Sequence, residues 1–410
     1  MFDVHKIRKD FPMLEGHRMQ GMPLIYLDNA ATTFKPQSVI DAVTHYYTDI
    51  SVNAHRGDYE LSYQVDTEYE SARETVARFL HADKREIVFT SGASEALNLV
   101  AYGFGRKLLK PGDVVLSSEA EHASSILPWM KTCEETGAEL TYIPLDEEGR
   151  LTADNFERCM DHHVKIVALA QVTNVLGYEM PVKEICEIAH RYGAKVIVDG
   201  AQSVPHMPVD VLEMDCDFLA FSAHKLCGPT GIGVLYGKYE YLDWMDPFLL
   251  GGGSNARFDM CGNIMLKQPP YKFESGTPAI EAVLGMKAAI QYIDSIGMEQ
   301  IHAYERELHR YVVERMMEMD NLIVYNPYSD SGIITFNVKD VFAQDGASFF
   351  NANGIAVRSG QHCAKLLMDK LGTSATIRAS LYFYNTKEEA DIFLDVCSKA
   401  TLENCLDIFF

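Results

Sequence analysis

Residues 195–203 read KVIVDGAQS and residues 221–231 read FSAHKLCGPTG. The first stretch is an apolar, β-branched run closed by Asp199; the second begins at the end of another such run, CDFLAFS (216–222), and places Lys225 just past it. Asp199 ends a run that is otherwise wholly apolar, so burying its charge requires a partner. Lys225 lies between two segments that both read as buried. An amine in such surroundings loses basicity and becomes a competent nucleophile. Taken singly, each residue has an ordinary explanation: Asp199 as a structural ion pair or helix cap, Lys225 as a lysine whose stem is covered and whose head reaches water.

Outward from this centre the pattern repeats. EIVFT (86–90), DVVLSS (113–118), VKIVALAQV (164–172) and IGVLYG (232–237) are further short apolar runs, and between the runs lie helical patterns such as 94–109 and 182–193, the latter closed by Gly193. Runs apolar on both faces and separated by helices indicate a mainly parallel sheet covered on each side. With 410 residues the chain exceeds one core, and the pattern changes after about residue 280 to a long helix followed by α+β segments. The expected fold is α/β, with a large domain over 23–280 and a smaller α+β domain formed by 1–22 and 281–410.

The net charge of −22 opposes nucleic-acid binding, since phosphate affinity needs a basic surface. No apolar run is long enough to span a bilayer, and MFDVHKIRKDFP lacks the apolar core of a signal peptide, so a cytoplasmic protein without membrane attachment is expected. The nine scattered cysteines include no CxxC pair and read as reduced thiols, with no metal site among them.

In parallel α/β sheets ligands bind beyond the carboxyl ends of the strands. Here those ends run into SGASEA, EAEHAS, VTNVLG, DGAQS and AHKLCGPTG, which would bring Ser94, His122, Asn174, Asp199, Gln202, Ser222, His224 and Lys225 to one edge. Gly92, Ala93 and Ser94 open a helix whose free N–H groups suit a phosphate, although an ordinary cap is the simpler explanation of that segment alone. Asp199 and Lys225 together, about one βαβ unit apart with Ser222 and His224 directly before the lysine, form the layout required by pyridoxal 5'-phosphate. Lys225 would hold its aldehyde as a Schiff base, and Asp199 would keep its pyridine nitrogen protonated.

VIVDGAQS, FSAHKLCGPTGIGVLYG, FESGTP and RSGQHCA resemble the class V branch of fold-type I pyridoxal phosphate enzymes, and specifically the SUF-type (group II) cysteine desulfurases. The resemblance runs from YLDNAATT at 26 through HRGDYELS to IRASLYFYNT near the end. It implies that His122 stacks on the cofactor ring and moves protons, and that Gln202 bonds the phenolic oxygen. It also implies that Ser94, Ser222 and His224, with Ala93, hold the phosphate, and that Thr277 is donated by the other subunit of a homodimer. Asn174 and Arg378, with Arg358 nearby, would bind the substrate carboxylate, for which a guanidinium fork is well shaped.

Cys363 would take sulfur from L-cysteine as a persulfide, leaving L-alanine, and pass it to a SUF-type acceptor protein for iron-sulfur cluster assembly. Selenocysteine lyase activity is a further implication. Its loop, RSGQHC, precedes an expected helix AKLLMDKLG, where positive neighbours and a helix start both favour the thiolate. Another class V reaction, by an aminotransferase, epimerase or β-lyase using the same Lys225, is the alternative.

The chain departs from the family where two histidines commonly precede the cysteine and Gln361-His362 stands instead. It departs again at Glu121-His122-Ala123-Ser124-Ser125, where Glu-His-His-Ala-Asn is usual.

Overall fold

The computed structural model describes residues 2–55 and 57–408, so Arg56 of the HRGDYELS stretch lies outside the described residues. Seven strands form the main sheet: β1 (Ile87–Thr90), β2 (Val114–Ser118), β3 (Glu139–Ile143), β4 (Val164–Ala170), β5 (Lys195–Asp199), β6 (Phe218–Ser222) and β7 (Gly233–Gly237). Their order across the sheet is β1-β7-β6-β5-β4-β2-β3. The pairs β2/β3, β2/β4, β4/β5 and β5/β6 are parallel, while β7 runs antiparallel to both β1 and β6. The reason lies in the connection. Only residues 223–232 separate β6 from β7, too few for the helical crossover that parallel neighbours require.

Side chains alternate along each strand, so both faces of the sheet are apolar. Val115, Ile166, Ala168, Ile197 and Ala220 pack with Leu97 and Trp129 on one side. Leu116, Val167, Leu169, Val198 and Leu219 pack on the other with Tyr69, Val76, Ile185 and Val283. The helix expected over 94–109 is in fact Ala93–Leu99, a wider π turn Val100–Gly105 and a last turn Arg106–Leu108. The Asp246 amide donates to the Gly103 carbonyl at 3.1 Å, drawing an acceptor away from the helix and loosening it there.

A second, four-stranded antiparallel sheet is made of β8 (Leu322–Val324), β9 (Ile333–Val338), β10 (Arg358–Gly360) and β11 (Thr376–Ser380), in the order β8-β9-β11-β10. A two-residue strand, Ile25–Tyr26, pairs in parallel with Ile355–Ala356 beside it. Apolar packing groups Ile280, Val283 and Ile290 with the large layer, and Ile25 and Leu27 with the small one. We therefore propose that the domain division, expected at 280/281, falls within the helix Met298–Met316. Ile301 of that helix belongs to the large core and Leu308, Val312 and Val313 to the small one.

Gly233 sits where β7 crosses the loop that opens the helix at Ala93. A Cβ there would come within 2.5 Å of Gly92 Cα and 2.6 Å of the Phe221 carbonyl, both backbone atoms. Gly233→Ala should therefore cost about 1–3 kcal/mol in urea unfolding and weaken cofactor retention at the same time, because the strain is released into the Gly92–Ser94 turn.

Candidate active site

The carboxyl ends of β1, β2, β4, β5 and β6 converge on one cavity of about 210 Å³. Ala93, Ser94, His122, Asp199, Gln202, Ser222, His224 and Lys225 all line it, together with Asn174, Arg358 and Arg378. Thr277 and Cys363 are not among its lining residues. Thr277 is exposed, and its hydroxyl accepts a bond from Asn53 Nδ2 at 3.3 Å. Cys363 is exposed, as a side chain that must meet an outside acceptor would be.

Asp199 is buried and takes only neutral donors: the Ser125 hydroxyl on Oδ2 at 2.8 Å and the Ala201 amide on Oδ1 at 3.0 Å. Its charge still lacks a contact cation, which a protonated pyridine nitrogen would provide. Burial pulls Lys225 down to about 8. Asp199 opposes that pull, and the charges on Arg378 and Arg358 add to it. The amine is therefore substantially unprotonated, and nucleophilic, just above neutral pH.

His122 caps the helix Ala123–Thr136, its Nδ1 accepting the Ser124 N–H at 3.1 Å. Burial lowers its pKa, against Asp199, and the charges on Lys225, Arg358 and Arg378 lower it further. The neutral ring with Nδ1 occupied carries its proton on Nε2. Directly before it, Glu121 is buried with Ser118 Oγ on one oxygen at 2.7 Å and the Ala170 N–H on the other at 2.8 Å. These bonds tie the histidine turn to the ends of β2 and β4.

At the opposite end of the cavity Arg358 and Arg378 are direct cross-strand partners on β10 and β11. Like charges in register repel. Asp28, 3.4 Å from Arg378 Nη2, is the carboxylate that meets the pair, and burial raises its pKa although both arginines pull it down. One carboxylate beside two guanidiniums leaves a surplus of positive charge, the condition for receiving a substrate carboxylate. His362 adds no charge, because burial together with Arg378 and Arg358 pulls it down to about 3.

The residues suit pyridoxal phosphate by more than charge. Gln202 Oε1 and Asn174 Oδ1 are buried on the cavity wall with no protein partner among the described residues. A polar ligand satisfies such groups. Ser222 Oγ accepts the Ala93 N–H at 2.8 Å, leaving its own proton to donate into the cavity.

Sequence reasoning missed Glu121, Ser124 and Ser125. The signal was present as the departure from the familiar motif. The two serines that replace Ala-Asn take up bonds to the Ser94 hydroxyl (2.7 Å) and to Asp199.

The rate at which apoenzyme captures pyridoxal phosphate should rise with pH and level off above about 8, as Lys225 loses its proton. In Asp199→Asn the same limb should move to lower pH, since the carboxylate that favours the ammonium is gone. Stopped-flow absorbance across the pH range reads both.

A family model described as aminotransferase class-V matches residues 25–393. A probable cysteine desulfurase of Halalkalibacterium halodurans is 47% identical over 392 residues, covering 95% of this chain and 96% of that protein. A cysteine desulfurase of Haloferax volcanii is 43% identical over 413 residues, covering 97% of each. Among solved structures, a cysteine desulfurase of Escherichia coli in an S-sulfonic acid form superposes with a TM-score of 0.91 at 34% identity, over 100% of this chain and 99% of that one. The apo structure of a Thermococcus onnurineus cysteine desulfurase gives 0.91 at 39%, over 96% and 97%. The chain thus belongs to the class V aminotransferase family and, within it, to the pyridoxal phosphate-dependent cysteine desulfurases.

Proposed function

We propose that this cysteine desulfurase moves the sulfur of L-cysteine onto Cys363 and hands it to a SUF-type acceptor protein for iron-sulfur cluster assembly, with selenocysteine as a second substrate. Cys363 is the observation that carries this. It stands exposed at the cavity mouth on a loop bonded to cavity residues: its own carbonyl accepts the Ala123 N–H at 2.7 Å, and the His362 carbonyl accepts Asn174 Nδ2 at 2.7 Å.

Bound in the cavity, pyridoxal phosphate supplies an electron sink for the bonds at the substrate α-carbon. Arg378, Arg358 and Asn174 hold the substrate carboxylate. The Lys225 amine moves the α-proton, and the neutral His122 ring, with its proton on Nε2, donates a hydrogen bond into the cavity. The Cys363 thiolate attacks the substrate sulfur, an S–S bond forms as the C–S bond breaks, and the carbon is protonated to alanine. The balance is one cysteine and one enzyme thiol giving one alanine and one enzyme persulfide. The nine cysteines are not joined in disulfides, and among the described residues no helix is long and apolar enough to cross a membrane.

The working unit we infer is a homodimer. The hairpin Asn255–Phe258/Ile264–Leu266 displays Phe258 (71% exposed), Met260, Ile264 and Met265, an apolar patch that a monomer would not leave in water. The segment leading into the hairpin is bonded to the loop before Thr277, the Gly276 amide donating to the Gly252 carbonyl at 2.7 Å. Thr277, outside its own subunit's cavity lining, is thereby free to serve the partner's.

With L-cysteine and a thiol reductant the protein should release alanine and sulfide in equal amounts. Cys363→Ala should lose turnover by about a hundredfold or more while keeping its bound cofactor spectrum; unchanged turnover would remove Cys363 from the chemistry. The double variant Phe258→Glu, Ile264→Glu should sediment as a monomer and bind cofactor more weakly than wild type.

A further inference from the structure

Pyridoxal phosphate brings a dianion to the end of the cavity formed by Ala93, Ser94, Ser222 and His224. The donors there are neutral: a backbone N–H, two hydroxyls and an imidazole. Burial, with the charges on Lys225 and Lys35, pulls His224 down to about 4, so it offers an N–H and no charge. A dianion surrounded by neutral donors in a partly buried site is poorly compensated. Arg358 and Arg378 serve the far end. Their charges bear on His122 and His362, whereas the cations that bear on His224 are Lys225 and Lys35. Lys225 is committed to the aldehyde.

Lys35 lies behind His224. Its Nζ donates to the His224 carbonyl at 3.0 Å, to Thr32 Oγ1 at 3.5 Å and to the Thr33 carbonyl. Thr32 Oγ1 is in turn 3.2 Å from His224 Nδ1. The His224 carbonyl does not need the ammonium. It is also within reach of the Thr33 N–H at 3.1 Å and the hydroxyls of Thr33 and Thr32 at 3.1 and 3.2 Å, more donors than its two lone pairs can serve. Among the described residues no carboxylate lies at ion-pair distance from Lys35. Burial pulls the amine down to about 8. A half-buried amine without an anion, one hydroxyl away from a neutral phosphate ligand, is only partly charged by itself and takes up its full charge when the cofactor's dianion arrives.

We propose that Lys35 is the countercharge of the cofactor's phosphate, acting through Thr32 and His224. The proposal rests on the cofactor lying with its phosphate at the Ser94–Ser222–His224 end, as described above. Lys35 is in this sense a positioning residue, which leaves the reacting atoms to Lys225 and Cys363.

The test compares two forms of the cofactor that differ only in the phosphate. Wild type, Lys35→Met, Lys35→Gln and Lys35→Arg are loaded with pyridoxal phosphate or with pyridoxal, and retention is measured by equilibrium dialysis and absorbance. In the two neutral variants pyridoxal phosphate should bind roughly tenfold more weakly while pyridoxal is unchanged within about twofold, and Lys35→Arg should stay near wild type. A loop-building role alone would weaken both ligands equally; that result, or undiminished pyridoxal phosphate affinity, overturns the proposal. Ser222→Ala run in parallel separates the two premises. A loss confined to pyridoxal phosphate places the phosphate at this end whatever Lys35 does, and an equal loss for both ligands overturns the orientation and the proposal with it.

Discussion

Asp199 is a carboxylate at the buried end of its strand, bonded to a hydroxyl and an amide and, among the described residues, to no cation. Leaving a charge in that condition is expensive. The arrangement makes sense only with a cationic ring against it. The rest of the cavity follows from that placement. Lys225 comes from the next strand over, β6, and His122 is held by a turn anchored through Glu121 to the strand on the other side, β4. In the proposed arrangement Asp199 would give the cofactor its electronic polarity, and it gives the site its geometric origin.

Much of this was legible in the sequence because the sheet is buried on both faces. Continuous apolar runs mark strands, and in a parallel sheet the residue just after each run falls at the same edge, so Ser94, His122, Asn174, Asp199 and Lys225 could be brought together before any coordinates were known. The direction of β7 was less visible, although the ten residues between it and β6 carry the reason. The π turn at Val100–Gly105 was invisible, since it depends on Asp246, a residue far along the chain. The pairing of Arg358 with Arg378 was hidden for the same reason: strand register is a tertiary fact, and the two residues are separated by a helix and a turn. The family resemblance supplied roles for both arginines, but only the register shows why one carboxylate between them is insufficient.

The two ends of the cavity solve their electrostatic problems differently. At the carboxylate end, cations are in excess and buried, and burial brings even Arg378 down to about 10. At the phosphate end, neutral donors line the wall and positive charge is set one layer back. Burial and the arginine charges keep both His122 and His362 neutral, which leaves them able to give or accept a hydrogen bond without carrying charge into a dry cavity.

His362 and Cys363 both adopt left-handed backbone angles, φ 52° and 58°, a conformation that costs a non-glycine residue roughly 1–2 kcal/mol. The carbonyls of both are fastened, and the helix resumes at Lys365, two residues on. A sulfur carried on so brief a span has almost no reach. If Cys363 carries the sulfur as proposed, a recipient would have to bring its own thiol to the cavity mouth, and the shape of that mouth, more than any movement of the loop, would decide which proteins can collect it.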